Sequence, residues 1–414
     1  MSEWKEYRFS DFINLNPIVK IPKGIKVSFV EMKDLENGKR FCEPSQKRDL
    51  SGGSRFENND TLFARITPCL ENGKICQVRN LDDGIGFGST EFHVFREKQN
   101  ISNSDFIYYL SRCPDVRDHA EINLDGTSGR QRVPRQAFDD LILNLPPLPE
   151  QKAIASILSS LDDKIDLLHR QNATLEKMAE TLFRQWFVEF SENKGEKTYN
   201  SELGEIPISI RIDQIKNLSH ILESGKRPKG GVGSLTTGVP SIGAESIKGL
   251  GNFDYTKTKF VSEQFAGSMS KGFVNGYELL IYKDGGTPGH FIPRYSIFGA
   301  GFPFDKMVIN EHVFKLDFGS KAYNFFMYYF FQTEITESIL VANGAKAAIP
   351  GINQEDIRNL WVITPDNSLI ESFGEITLSY LEKVLSNCKQ IRTLTSLRDT
   401  LLPKLMSGEV RVKL

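Results

Sequence analysis

Ten residues from Gly126 to Arg135 read G-T-S-G-R-Q-R-V-P-R, with Arg130, Arg132, Arg135 and Gln131 but no acid. Arginine grips the O6 and N7 of guanine with two hydrogen bonds, and glutamine grips adenine in the same way, so this loop carries base-reading side chains. A second acid-free cluster, Gly225–Gly230, sets Lys226, Arg227 and Lys229 around Pro228. Arg48 and Arg55 flank Ser51-Gly52-Gly53-Ser54, Arg65 closes the run D-T-L-F-A-R, and Lys283 precedes Asp284-Gly285-Gly286. Lys346 is the lone cation of Asn343–Pro350, read as the second half's counterpart of the arginine loop. The chemistry open to such a set is contact with double-stranded DNA, with cations on phosphates for position and a few side chains on base edges for sequence. Each cluster taken alone also fits a solvated surface loop.

Catalytic chemistry finds no equivalent cluster. There is no G-x-x-x-x-G-K-[ST] phosphate loop and no H-E-x-x-H, and the six histidines have no metal-ligand spacing. Gly84-Ile85-Gly86-Phe87-Gly88 lacks a following helix signal, and no N-P-P-[YF] appears. Asn144-Leu145-Pro146-Pro147 is a near miss that a helix start explains better. The acidic pairs Asp115/Glu121 and Asp366/Glu371 lack the E-x-K that a nuclease site requires. No catalytic residue, metal site or cofactor is predicted; the chain reads as a binder.

Composition sets the bounds. A chain of 414 residues suits two or three domains. A net charge of −2 requires any DNA-binding charge to be local. Five cysteines (42, 69, 76, 113, 388) without a C-x-x-C pair imply reduced thiols in the cytoplasm. No apolar run approaches the roughly 18–20 residues of a membrane span, and the opening residues lack the signal-peptide pattern.

The elements that must hold the basic loops appear twice. Asp60–Arg65 is echoed by Tyr277–Tyr282, Glu91–Phe95 by Glu311–Phe314, Val133-Pro134 by Ile349-Pro350, and Thr181–Phe183 by Thr400–Leu402. Order and offset are kept, so the chain reads as two tandem domains of one design. Short apolar runs separated by Gly, Asn and Pro predict strands at Thr61–Ile66, Lys74–Val78, Glu91–Phe95, Glu278–Tyr282 and His312–Leu316. Helices follow at Ser104–Leu110 and Tyr323–Gln332. The class is α+β.

Each domain is followed by a long helix. From Ile154 the apolar positions Leu158, Leu161, Ile165, Leu168, Leu175 and Leu182 step by four and three, with Asn172 on the seam. About 40 residues at 1.5 Å each would span about 60 Å. Eight acids against five bases between Glu150 and Glu192 make this helix a poor partner for phosphate. The second stripe runs through Phe373, Ile376, Tyr380, Ile391, Leu394 and Leu401, with Arg398 also on the seam and a slip near Tyr380–Val384. The two helices are expected to pair as an antiparallel coiled coil.

Leu145–Asp166, L-P-P-L-P-E-Q-K-A-I-A-S-I-L-S-S-L-D-D-K-I-D, resembles the central spacer of the specificity subunits of type I DNA restriction–modification systems. Leu397–Val412, with L-M-S-G-E-V-R-V, and Ser201–Pro207 resemble other stretches of the same family. The resemblance implies target-recognition domains at 1–146 and 205–365, spacer helices at 147–192 and 366–414, a linker at 193–204, and a pseudo-twofold internal repeat. It further implies two methyltransferase subunits as partners, with restriction/translocase subunits reached through them, and no catalysis by this chain. Two departures stand out: Pro365-Asp366-Asn367-Ser368 replaces the second P-x-P-E-Q, and Ile210 replaces the tryptophan that matches Trp4. The rival reading is a coiled-coil scaffold that never touches DNA.

Overall fold

The computed structural model describes residues 3–413 except 23, 128, 233–234, 286–288 and 346–349. It is a mixed helix and strand (α+β) structure that divides into two compact units, residues 1–167 with 391–414, and residues 168–390. Both long helices, Leu148–Phe187 and Asn367–Met406, contribute to both units.

In the first unit a five-stranded sheet runs in the order Ile13–Leu15, Phe92–Glu97, Thr61–Ala64, Ile75–Val78, Phe41–Cys42. Thr61–Ala64 is buried at every position, which is why its sequence is a continuous apolar run with no alternation. A second sheet runs Gln46–Asp49, Lys26–Val30, Ile85–Gly88, Ser54–Glu57, its middle pair parallel. Lys5–Arg8 pairs with Ile142–Leu145. The helix Ser104–Ser111 starts where the Asn103 side chain accepts the Phe106 N–H, and Pro114 opens the next helix, Pro114–Ile122.

In the second unit each of the two sheets has one strand fewer. Its main sheet runs Ile221–Ser224, Val313–Asp317, Leu279–Tyr282, Tyr295–Ile297. A smaller sheet runs Lys259–Val261, Val239–Ile242, Val308–Ile309, the last pair parallel. Arg211–Gln214 pairs with Trp361–Thr364, and helices Lys321–Phe330 and Glu334–Gly344 follow the main sheet.

Backbone bonds relate residues of the two units, and they shift three of the sequence equivalences. Val133 N donates to Arg65 O, and Ile352 N donates to Lys283 O, each at 2.8 Å. Arg65 therefore matches Lys283, one place beyond the sequence pairing with Tyr282, and Val133 matches Ile352 in place of Ile349. Arg65 N donates to Glu91 O and Lys283 N to His312 O, each at 3.0 Å, so Glu91 matches His312 in place of Glu311. A one-residue slip in a strand exchanges its faces, so the apolar pattern alone left this open. Ile349 lies outside the described residues.

The stretch expected as a linker at 193–204 carries a strand, Thr198–Ser201, paired with Gly204–Pro207, and the preceding helix stops at Phe187, short of residue 192.

Within the first unit the long helices run antiparallel. Asp162 meets Arg398 at 2.7 Å and Glu150 meets Arg411 at 2.6 Å. Leu158 shares one core with Leu402 and Leu405, while Leu161, Leu394 and Ile391 are half-buried and Leu401 packs at the core's margin. Asp162 and Arg398 are almost fully enclosed, and Tyr109 donates its hydroxyl to Asp162 at 2.7 Å. Ile165 is buried as well.

Within the second unit they are antiparallel too. Asn387 donates to Asn172 and to Gln171, both at 2.8 Å, and farther along the rings of Phe183 and Phe187 lie 6.1 and 5.4 Å from Phe373. Leu168 is buried, and Leu175 and Leu182 pack half-buried against this core. The stripe of the second helix differs from the expected one. Ile376 is 39% exposed and Tyr380 half-buried, whereas Thr377 and Leu381 are buried. The buried line passes through a threonine whose hydroxyl is satisfied by the Phe373 carbonyl at 2.7 Å, so an apolar count steps off it.

Candidate nucleic-acid interface

In the first unit the basic residues gather at one end of the main sheet. Arg65 follows the strand Thr61–Ala64, Glu91 precedes Phe92–Glu97, and Arg65 N donates to Glu91 O at 3.0 Å. The arginine loop closes onto this end as a short hairpin. Asp125 and Arg132 exchange backbone hydrogen bonds of 3.0 and 2.8 Å, and Gly126 and Gly129 take the positive φ that the turn needs. Gln131 is fastened through its backbone: its carbonyl accepts from Thr67 N at 3.0 Å and its N–H donates to the Thr67 hydroxyl at 3.1 Å. Arg130 and Arg135 are exposed.

Arg132 is engaged elsewhere. Its Nε and Nη2 donate to the Glu91 carboxylate at 2.7–3.0 Å, and its Nη1 donates to the Arg130 carbonyl at 3.1 Å.

His93 braces the same corner from inside. It is fully buried, with Nε2 2.9 Å from the Val133 carbonyl and Nδ1 3.2 Å from the Asn16 amide nitrogen. With its proton on Nε2 it donates to Val133 and accepts from Asn16. Burial, with the charges of Arg65 and Arg135 adding to it, lowers its pKa to about 4. The imidazole is therefore neutral at physiological pH and serves as a strut for the residue that follows Arg132.

A recess of about 350 Å³ opens beside this corner. Its walls include Asn16, Ser54, Arg55, Arg65 and Thr90, with no acidic side chain among the lining residues. Arg55 Nη1 donates to the Val19 carbonyl at 3.2 Å, and the buried Arg65 Nε has no hydrogen-bond partner among the described residues. Arg48 lies outside this group, ion-paired to Glu31 at 2.5 Å with its guanidinium 4.2 Å from the Phe29 ring centroid.

In the second unit the Gly225–Gly230 loop leaves the strand Ile221–Ser224. A Cβ on Gly225 would stand 1.8 Å from the Ile309 carbonyl oxygen, so only glycine lets the loop pass there. Arg227 Nε lies 2.8 Å from Glu311, while Lys226 and Lys229 are exposed. Lys283 donates to the Glu311 carbonyl at 3.1 Å and lies 5.5 Å from the Phe314 ring centroid. His312 bridges Asp284 at 2.5 Å. Lys346 lies outside the described residues.

The structure thus assembles Arg55, Arg65, Arg130, Gln131, Arg132 and Arg135 in one unit and Lys226, Arg227, Lys229 and Lys283 in the other. It sets Arg48 apart. Glu91, Asn16, His93 and Glu311, which contact these basic residues or brace their loops, were not singled out from the sequence. Glu91 and Glu311 were visible only as a marker of duplication, and the backbone register sets them one position out of step, with His312 at the place of Glu91. Among the described residues no group of His, Cys, Asp and Glu could hold a metal ion, the cysteines are free, and no helix is long and apolar enough to cross a membrane.

Comparison with known proteins adds an independent line. Residues 1–177 match the family model of the type I restriction modification DNA specificity domain. The chain is 26% identical over 408 residues to the type I restriction enzyme MjaIX specificity subunit of Methanocaldococcus jannaschii, covering 96% of this chain and 90% of that one. It is 25% identical over 478 residues to the type I restriction enzyme HindI specificity subunit of Haemophilus influenzae, covering 99% and 100%. Among solved structures, the type I restriction–modification S subunit from M. genitalium shares the fold, with a TM-score of 0.55 at 15% identity over 98% of this chain and 96% of that one.

Proposed function

We propose, for a chain that belongs to the family of type I restriction–modification specificity subunits, that it reads a split duplex DNA target, one half-site per α+β domain. The chain is the specificity component and not the catalyst; activity in these systems resides in other subunits. In this reading the domains at 1–146 and 205–365 are target-recognition domains, and the long helices form an antiparallel coiled coil that sets the gap between half-sites. Two methyltransferase subunits dock on the assembly, restriction/translocase subunits join through them, and the complex works in the cytoplasm.

The observation that supports this most is the combination of two similar pairs of sheets with two different basic faces. The first unit offers an arginine and glutamine loop on a hairpin, the second a lysine-rich loop after an edge strand. A shared scaffold with divergent contact residues suits two readings of unlike sequence on one kind of ligand.

The test is selection from a randomised duplex library by the full chain assembled with its methyltransferase subunits, at several salt concentrations. A motif of two short blocks separated by a fixed number of unread positions is expected, with affinity falling as salt rises. Salt-insensitive failure to bind any duplex would leave the protein-scaffold reading in its place.

A further inference from the structure

The basic residues divide into cations already held by a carboxylate and cations that are not. In the first unit Arg132 is held by Glu91 through three hydrogen bonds, whereas the side chains of Arg130 and Arg135 have no hydrogen-bond or ion-pair partner among the described residues. In the second, Arg227 is held by Glu311 at 2.8 Å, and the side chains of Lys226 and Lys229 have no such partner among the described residues.

The two acids stand at the same end of corresponding strands. Glu91 immediately precedes Phe92–Glu97 and Glu311 lies two places before Val313–Asp317. They hold different loops: Glu91 takes the hairpin after the helix Pro114–Ile122, Glu311 the loop after Ile221–Ser224.

We propose that Glu91 and Glu311 are positioning residues for DNA reading: each keeps one arginine of its loop off the duplex and thereby sets the stance of that loop's unpaired cations. The inference rests on the DNA-reading function above.

Reading guanine takes two donors on one edge of the guanidinium. In Arg132 the edge formed by Nε and Nη2 is taken by Glu91 and one N–H of Nη1 goes to the carbonyl of Arg130, which leaves one N–H on each Nη of a guanidinium whose charge Glu91 already neutralises. The chain Glu91 to Arg132 to the Arg130 backbone is thus a brace on the residue whose side chain is free to reach a base. Charge-assisted, two-point pairing of this kind fixes geometry as well as adding energy. The Glu311 clamp is weaker: neither of its oxygens accepts a well-aligned hydrogen bond, and one arginine nitrogen carries the contact.

The experiment uses the full chain assembled with its methyltransferase subunits, a randomised duplex library, and one fixed non-specific duplex titrated across salt. Glu91→Gln is expected to broaden the first half-site alone. It also releases a charged arginine to the phosphates, steepening the slope of log affinity against log salt on the non-specific duplex by about one unit. Arg132→Ala is expected to broaden the same half-site while leaving that slope unchanged, and the double variant to match Arg132→Ala. Glu311→Gln is expected to broaden the second half-site, by less. The half-site read by the unaltered domain reports that each variant is folded.

Arg132→Ala lowering the slope by about one unit, with Glu91→Gln still sharply selective, would make Arg132 itself the DNA contact and overturn the proposal. A split motif and slope identical in wild type and all variants would overturn it too. A wild-type complex that selects nothing would instead remove the DNA-reading function on which it stands.

Discussion

The carboxylate of Glu150 accepts hydrogen bonds from Arg411, at 2.6 Å from Nε and 2.8 Å from Nη2. The Trp4 indole donates to the same carboxylate at 3.3 Å, and the Arg411 guanidinium lies 5.2 Å from the Trp4 ring centroid. Glu150 is 1% exposed. The P-L-P-E-Q and G-E-V-R-V segments that carry the family resemblance thus meet in one buried contact, and their third partner is Trp4. Gln151 completes the corner, accepting from Asn103 N at 3.0 Å and donating to the carbonyls of Ile101 and Pro146 at 2.9 Å.

Removing Arg411 leaves a buried carboxylate without its cation, a costlier change than losing an exposed pair. Arg411→Ala is expected to lower the urea midpoint of unfolding clearly. Arg411→Lys, which keeps charge but not the two-point grip, should fall in between. An unchanged midpoint for Arg411→Ala would show the contact to be incidental.

Asp162 and Arg398 form a deeply enclosed ion pair on the long helices, at 5% and 4% exposure. Truncating one member strands the other, so Arg398→Ala should cost about 3–5 kcal/mol. The paired replacement Asp162→Asn with Arg398→Met should cost well under the sum of the single changes, because no buried charge is left over. Chemical denaturation of the four species checks this; additive losses would mean the two side chains act independently.

His93 gives the fold a pH signature. Its pKa is about 4 when folded, against about 6.5 for an exposed imidazole, so the unfolded chain takes up its proton first as pH falls. The contribution is fully present above about pH 6.5 and is lost as pH drops toward about 4, on the order of 3 kcal/mol in total. Measured between pH 7 and 4.5, wild type should lose stability faster than His93→Gln, and identical pH profiles would exclude the buried neutral imidazole as the cause.

The unpaired cations should do the contacting. Arg130→Ala is expected to cost about 1–3 kcal/mol on the selected site and relax one position of the first half-site. Lys226→Ala and Lys229→Ala should weaken all duplexes alike, each lowering the salt slope by about one. Arg48→Ala, which removes a cation already paired with Glu31, should change neither quantity. An effect of Arg48→Ala equal to that of Arg130→Ala would show that ion pairing does not decide which cations meet DNA.

Much of the architecture was legible because it rests on period and composition. Continuous apolar runs located Thr61–Ala64 and Leu279–Tyr282, and the 4–3 stepping located the first long helix. The second helix was found, but its buried face was misplaced at Ile376, since Thr377 occupies a core position with its hydroxyl satisfied by the Phe373 carbonyl. The strand pair at 198–207 lies in a polar stretch with no apolar run to announce it. For the site, residue type located the basic loops, but which cations are free depends on partners far away in sequence. Arg132 and Glu91 are 41 positions apart and Arg227 and Glu311 farther still, and no local spacing rule connects them.

The central claim, that two domains read two half-sites at a separation set by the helices, is tested most directly by mapping methylated bases. DNA is modified by the chain with its methyltransferase subunits, in wild type and with one heptad inserted between Leu161 and Leu175. Seven residues lengthen a helix by roughly 10 Å, or about three base pairs. Wild type is expected to mark a motif of two blocks with a fixed gap, and the insertion to widen the gap by about three base pairs while both blocks stay the same. An active, folded insertion variant that keeps the wild-type gap, or a wild-type motif that is a single uninterrupted block, would contradict the account.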